Sequence, residues 1–150
     1  MFSAQDQIII YNETFRYVYD KFGYDALKDL WAKMSREWCV DLDRLTAEKG
    51  LDGVREYWCG QTGTLTLEEA DYGVAREGNT LYFHMDRCPS LGGELIDRGY
   101  KIFPKYCEHC NHLYPPIMKK YGIDCKWHVE FDIDTMLPTS KCRWFVTKLE

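Results

Sequence analysis

The sequence predicts an α+β fold: N-terminal helices, then a hairpin, further helices and a second hairpin, with the strands forming one four-stranded antiparallel sheet. Three observations predict it. Apolar residues recur at three- and four-residue spacing through the first third of the chain, two later stretches alternate apolar and polar with period two, and the sequence between them turns helical again, bracketed by prolines.

The first helix is expected from Gln5 to Phe22, where Ile8, Phe15, Val18, Tyr19 and Phe22 form a stripe and Gly23 stands as a C-terminal cap. A longer stripe starts at Asp25: Leu27, Leu30, Trp31, Met34, Trp38, Leu42 and Leu45, reaching toward Gly50. A short turn between these two helices predicts antiparallel packing, with the Trp and Met stripe as core and Cys39 as a small buried hydrophobe. Leu51, Val54, Tyr57 and Trp58 suggest a further short helix ended by Gly60. The following QTGTLTLEEAD gives mixed signals, with Thr66 and Glu69 at the spacing of a capping box.

Tyr72 to Asp86 predicts a hairpin turning at Glu77-Gly78-Asn79, with Leu81, Phe83 and Met85 on one face and Tyr82, His84 and Asp86 on the other. Leu91 to Ile96 suggests a short helix despite Gly92-Gly93, a pair that suits either tight packing or a loop wrapped around a ligand. Pro104 fits the first turn of a helix through PKYCEHCNHLY, which Pro115-Pro116 must break or restart. On that helix Cys107 and Cys110 share one face, and Glu108 and His112 a neighbouring one. The second hairpin is DCKWHVEFDID, a turn near Met136 to Ser140, and KCRWFVTK. Its residues Trp127, Val129, Phe131 and Ile133 alternate with His128, Glu130 and Asp132.

A length of 150 residues suits one domain, helical over 1–66 and cysteine-rich α+β over 67–150. The net charge of -5 argues against a nucleic-acid partner, which needs a clustered basic surface. No apolar run approaches the roughly 20 residues of a bilayer span, and MFSAQDQIII has neither a basic start nor a cleavage-type site. The expectation is therefore a cytoplasmic protein without a membrane partner. Seven cysteines cannot all pair within one chain, so thiols are expected.

The chemistry concentrates between His84 and His112, where three of the seven cysteines and three of the four histidines fall beside Asp86, Glu94 and Glu108. Cys107-Glu-His-Cys110 has the spacing of a thiolate pair on a metal such as zinc or iron, to be completed by Cys88, Cys142 or a histidine. The same spacing serves redox dithiols, but those sit between a strand and a helix in a βαβ unit, which this chain does not predict. A cysteine nucleophile is the other reading. Cys107 lies near a predicted helix N-terminus, His84, His109 and His112 are candidate bases, and Glu108 is an orienter or proton carrier. Against both stands plain packing of Cys88, Cys107 and Cys110 beside Pro and Tyr. No Gly-rich phosphate loop, HExxH motif or serine elbow occurs.

The segments YFHMDRCP, FPKYCEHCNHLYPPIMKKYG and KCRWFV together resemble the L-2-amino-thiazoline-4-carboxylic acid hydrolase-like family, over about the last half of the chain. More distantly they are similar to the 4-vinyl reductase domain of small-molecule-binding proteins. The resemblance implies an intracellular bacterial protein with an α+β fold like the ligand-binding fold of transport protein particle subunits. It implies a hydrolase that opens a thiazoline-type ring by adding water at a C=N carbon, with Cys88, Cys107, Cys110 and Cys142 at the matching cysteine positions. Two functions follow as expectations. One is a thiol- or metal-dependent hydrolase of a C–N bond in a small heterocyclic or amidine-like substrate; the other is a non-catalytic module binding a small molecule or a metal. A homodimer through the sheet face bearing His84, His128, Glu130 and Asp132 is a further expectation.

Overall fold

A computed structural model describes residues 4–59 and 72–150. Four helices come first, α1 (Ala4–Phe22), α2 (Tyr24–Trp38), α3 (Val40–Lys49) and α4 (Leu51–Cys59). The hairpin strands β1 (Tyr72–Glu77) and β2 (Thr80–Met85) lead into a π-helix (Pro89–Ile96), then α5 (Glu108–Leu113) and α6 (Pro115–Lys119). The strands β3 (Ile123–Phe131) and β4 (Pro138–Lys148) close the fold. The capping box at Thr66 and Glu69, the Gly60 stop and the expected boundary between 66 and 67 lie outside the described residues.

The sheet is antiparallel, in the order β1-β2-β4-β3, so the two hairpins join through their second strands. Its register puts Leu81 opposite Val146, Phe83 opposite Trp144, and Met85 opposite Cys142, all on the face covered by helices. Tyr82 opposite Phe145 and His84 opposite Arg143 form the other face. Alternation in the sequence thus becomes an inside and an outside, because successive strand side chains point opposite ways. The buried apolar residues form one cluster that runs from Ile8 and Phe15 through Trp31, Leu91 and Tyr106 to Trp144.

Several elements differ from the expectation. The long second helix is two, broken at Cys39, whose ψ of 33° leaves the helical range. Asp41 and Asp43 then occupy the first turn of a new helix, where its positive end favours acids. Leu42 and Leu45 remain buried after the bend, but Trp38, expected in the core stripe, is 57% exposed at the corner. Phe22, also placed on a core stripe, is exposed at the end of α1.

The helix expected from Pro104 starts only at Glu108, because Tyr106 N–H and Glu108 N–H bond back three residues, to Phe103 and Lys105, rather than four. Its predecessor Cys107 is therefore the N-cap residue. The last turn falls at 132–137, ahead of the expected Met136 to Ser140. Asp132 draws it forward, its carboxylate accepting from the N–H groups of Asp134 at 3.0 Å and Thr135 at 2.8 Å. Beyond the bulge between Val129 and Phe131 the apolar alternation no longer means burial: Ile133 is 88% exposed.

Three interactions place α5. Ser35 Oγ donates to Leu113 O at 2.7 Å, and Tyr24 hydroxyl donates to Glu108 at 3.2 Å, so both ends of the helix lie along α2. The segment leading to it is held by Asn12, fully buried on α1, whose Nδ2 donates to Lys101 O at 2.8 Å while Oδ1 accepts from Phe103 N–H at 2.9 Å. No described helix is long and apolar enough to cross a membrane.

Candidate functional site

A cavity of about 220 Å³ opens where α1, the bend at Cys39, α4, the π-helix, α5 and the inner sheet face meet. Its wall carries the rings of Tyr11, Tyr57, Trp58, Tyr106, Tyr114 and Trp144 and the thiols of Cys39, Cys88, Cys107 and Cys110. Among the described residues that line it, none is Lys, Arg, Asp or Glu.

Each element contributes for a local reason. The π-helix comes against β4 because Gly92 has no side chain: a Cβ there would stand 2.7 Å from that of Ser140. Cys88 N–H, just before it, donates to Ser140 O at 2.7 Å. Gly92 thus serves tight packing, the first of the two readings of the glycine pair. Ser90 and Tyr106 hydroxyls meet at 2.5 Å and tie the π-helix to the turn before α5. Across the wall, Trp58 packs edge-on against Tyr114 at 5.1 Å and tilts over Trp144 at 5.6 Å.

The thiols sit in a medium that disfavours charge. Burial raises Cys107 and Cys110 well above the ordinary thiol range, and neighbouring thiolates, that of Cys88 first, would push both further. Burial likewise raises Cys88, and it takes Cys142, on the sheet floor, up to about 12. These groups influence one another, so cysteines remote in sequence are gathered into one region, and at neutral pH they are thiols.

His109 is the imidazole of the cavity. It is 7% exposed, and burial lowers its pKa to about 4. Its Nδ1 faces the Tyr106 carbonyl, which can only accept, so Nδ1 carries the proton and Nε2 is left bare. Cys110 Sγ lies 3.6 Å from that Nε2, whose lone pair can accept the thiol proton. Thiol and imidazole are therefore neighbours in sequence, both on the cavity side of α5.

The structure separates the other expected site residues from this pair. His84 lies exposed on the opposite sheet face, its ring over Gly73 of β1, where an added Cβ would stand 2.1 Å from the ring. It fills the space of a missing side chain and does not reach Cys107. His112 and Glu108 occupy the other side of α5, because residues four apart on a helix share a face. His112 stacks on Trp31 at 5.0 Å, and Glu108 meets Tyr24 and, at 3.5 Å, Lys105. Of the five residues expected to carry catalysis, Cys107 and His109 reach the cavity wall.

Among the described residues no group of three or more His, Cys, Asp or Glu side chains converges as ligands would. Elemental analysis of the purified protein tests the metal expectation: one zinc or iron per chain, lost in both Cys107→Ala and Cys110→Ala, would bear it out, and none in the native protein would count against it.

Sequence reasoning missed Tyr11, Tyr57 and Met34 as cavity residues. A signal was present: Tyr11 and Tyr57 stand at interior helical positions where a purely dry core takes Leu or Ile, since a tyrosine hydroxyl asks for a polar neighbour or a wet edge. Comparisons with protein-family models, curated proteins and solved structures found no match to this chain.

Proposed function

We propose that this chain binds a small, neutral, planar organic molecule in the cavity. The observation that carries the proposal is the lining: aromatic rings in edge-on and tilted contact and protonated thiols surround a space of about 220 Å³, and none of the described residues that line it is Lys, Arg, Asp or Glu. A cavity of about 150 Å³ holds benzene, so this one suits one or two rings. An ionised ligand would lose its hydration and find no partner of opposite charge. This is the small-molecule-binding expectation, with the charge of the ligand now specified.

Tryptophan fluorescence tests it, because Trp38, Trp58 and Trp144 stand in the wall. Benzothiazole should quench saturably, and benzothiazole-2-carboxylate should bind at least ~10-fold more weakly, a difference of about 1.4 kcal/mol. Equal binding of the two, or none by either, would overturn the proposal.

A second reading, hydrolysis of a C–N bond in a small heterocyclic or amidine-like substrate, is favoured by the contact between Cys110 and His109. In that reading Cys110 takes the nucleophile's place expected for Cys107, and the uncharged lining selects a neutral ring over a ring carboxylate. Time-dependent loss of a bound heterocycle with release of the ring-opened amine would mark it.

A further inference from the structure

We infer that Cys110 and His109 form a thiol–imidazole pair that captures neutral conjugated electrophiles, such as aryl enones, as covalent adducts inside the cavity; this rests on the cavity being the ligand site. Four observations lead there. Among the lining thiols, Cys110 is the one with a hydrogen-bond contact to a ring nitrogen, at 3.6 Å. The Tyr106 carbonyl fixes which nitrogen is bare. The uncharged aromatic wall admits neutral planar molecules and offers nothing to an ionic electrophile. Sulfur, a soft and polarisable nucleophile, prefers the soft terminal carbon of a conjugated alkene to a hard carbonyl carbon.

The step is an addition and needs no other reactant. As Sγ bonds to the β-carbon of the enone, its proton passes to Nε2 of His109, the C=C π bond breaks, and its electrons form an enolate. Nε2 then returns the proton to the α-carbon. The product is a neutral thioether, with His109 back in its starting form. Moving the proton within the pair avoids a free thiolate or a lasting imidazolium, both of which this environment opposes.

The test uses the full chain with 4-phenyl-3-buten-2-one and its saturated analogue 4-phenyl-2-butanone. The saturated ketone should quench tryptophan fluorescence reversibly in the native protein and, with an affinity shifted by the lost wall contact, in Cys110→Ala. The enone should add once, at Cys110 by peptide mass mapping, with Cys110→Ala unmodified at that stoichiometry. His109→Asn, which keeps an N–H for the Tyr106 carbonyl but has no base at the Nε2 position, should slow addition by ~100-fold. The pH profile separates a base from a merely structural residue. With His109 the rate should stay flat from pH 5.5 to 7.5, since both partners keep one protonation state; in the Asn variant it should rise about tenfold per pH unit as thiolate forms. Ketone binding without an enone adduct, adducts spread over several cysteines, or a native profile rising with pH would overturn the inference and leave the cavity reading standing. Failure of the ketone to bind would overturn both.

Discussion

Lowering the pH from 6.5 to 4 is expected to remove about 3 kcal/mol of folding stability through His109 alone. The ordinary imidazole value is 6.5 and burial takes this one to about 4, so across that window the unfolded chain binds a proton that the folded chain excludes. The sign follows directly: stability from a histidine held neutral is present above its unfolded pKa and is lost as pH falls toward its folded one. Around the ring stand Tyr106 at 4.8 Å, Phe15 at 5.4 Å and Tyr11 at 6.4 Å, aromatic neighbours that give an imidazolium no counter-charge. His112, also lowered by burial, adds in the same direction. The depressed carboxyls Asp43 and Asp132 act below their ordinary value of 3.8, outside this window. Urea unfolding at pH 7, 5.5 and 4.5 measures the effect. The native protein should lose stability steeply over that series and His109→Asn should lose far less, whereas parallel losses would show that the imidazole is not held neutral by the fold.

Asn12→Ala is expected to cost about 3 kcal/mol, a large effect for one surface-sized polar side chain. Asn12 is fully buried and its amide satisfies two backbone groups at once, the carbonyl of Lys101 and the N–H of Phe103. Removing it leaves the Phe103 N–H buried without its acceptor, and such an orphan costs about 1–3 kcal/mol beyond the lost bond itself. Arg16, which also donates to the Lys101 carbonyl, can retain that group in part, so the Phe103 side dominates. The effect should reach the cavity, since this segment runs directly into Tyr106 and Cys107. Denaturant midpoints and the benzothiazole titration together check it: affinity should fall with stability. A change below about 0.5 kcal/mol would mean that the segment is held by packing alone.

Much of the fold was legible because it rests on periodicity. The alternation of Leu81, Phe83 and Met85 with Tyr82 and His84 predicted which strand face is buried, and the stripe of Ile8 and Phe15 predicted the inner side of α1. Legibility failed where one residue overrode a period. Cys39 bends the second helix and brings Trp38 to the edge of the cavity, though its spacing fits an unbroken stripe. Asp132 shifts the final turn by bonding to backbone groups two and three residues ahead. Asn12 gave no signal at all, since nothing local distinguishes a buried clamp from an ordinary polar helix residue.

By itself the sequence determined the α+β class, the antiparallel hairpins, and a stretch between His84 and His112 rich in cysteine and histidine. It did so because backbone periodicity and residue chemistry are local properties. Only the tertiary structure decided that His109 faces Cys110 in an uncharged cavity while His84, His112 and Glu108 turn elsewhere. Which imidazole meets which sulfur depends on the direction each side chain takes once α5 lies along α2 above the sheet, and that direction is settled by contacts such as Ser35 with Leu113 and Asn12 with Phe103, between residues far apart in the chain.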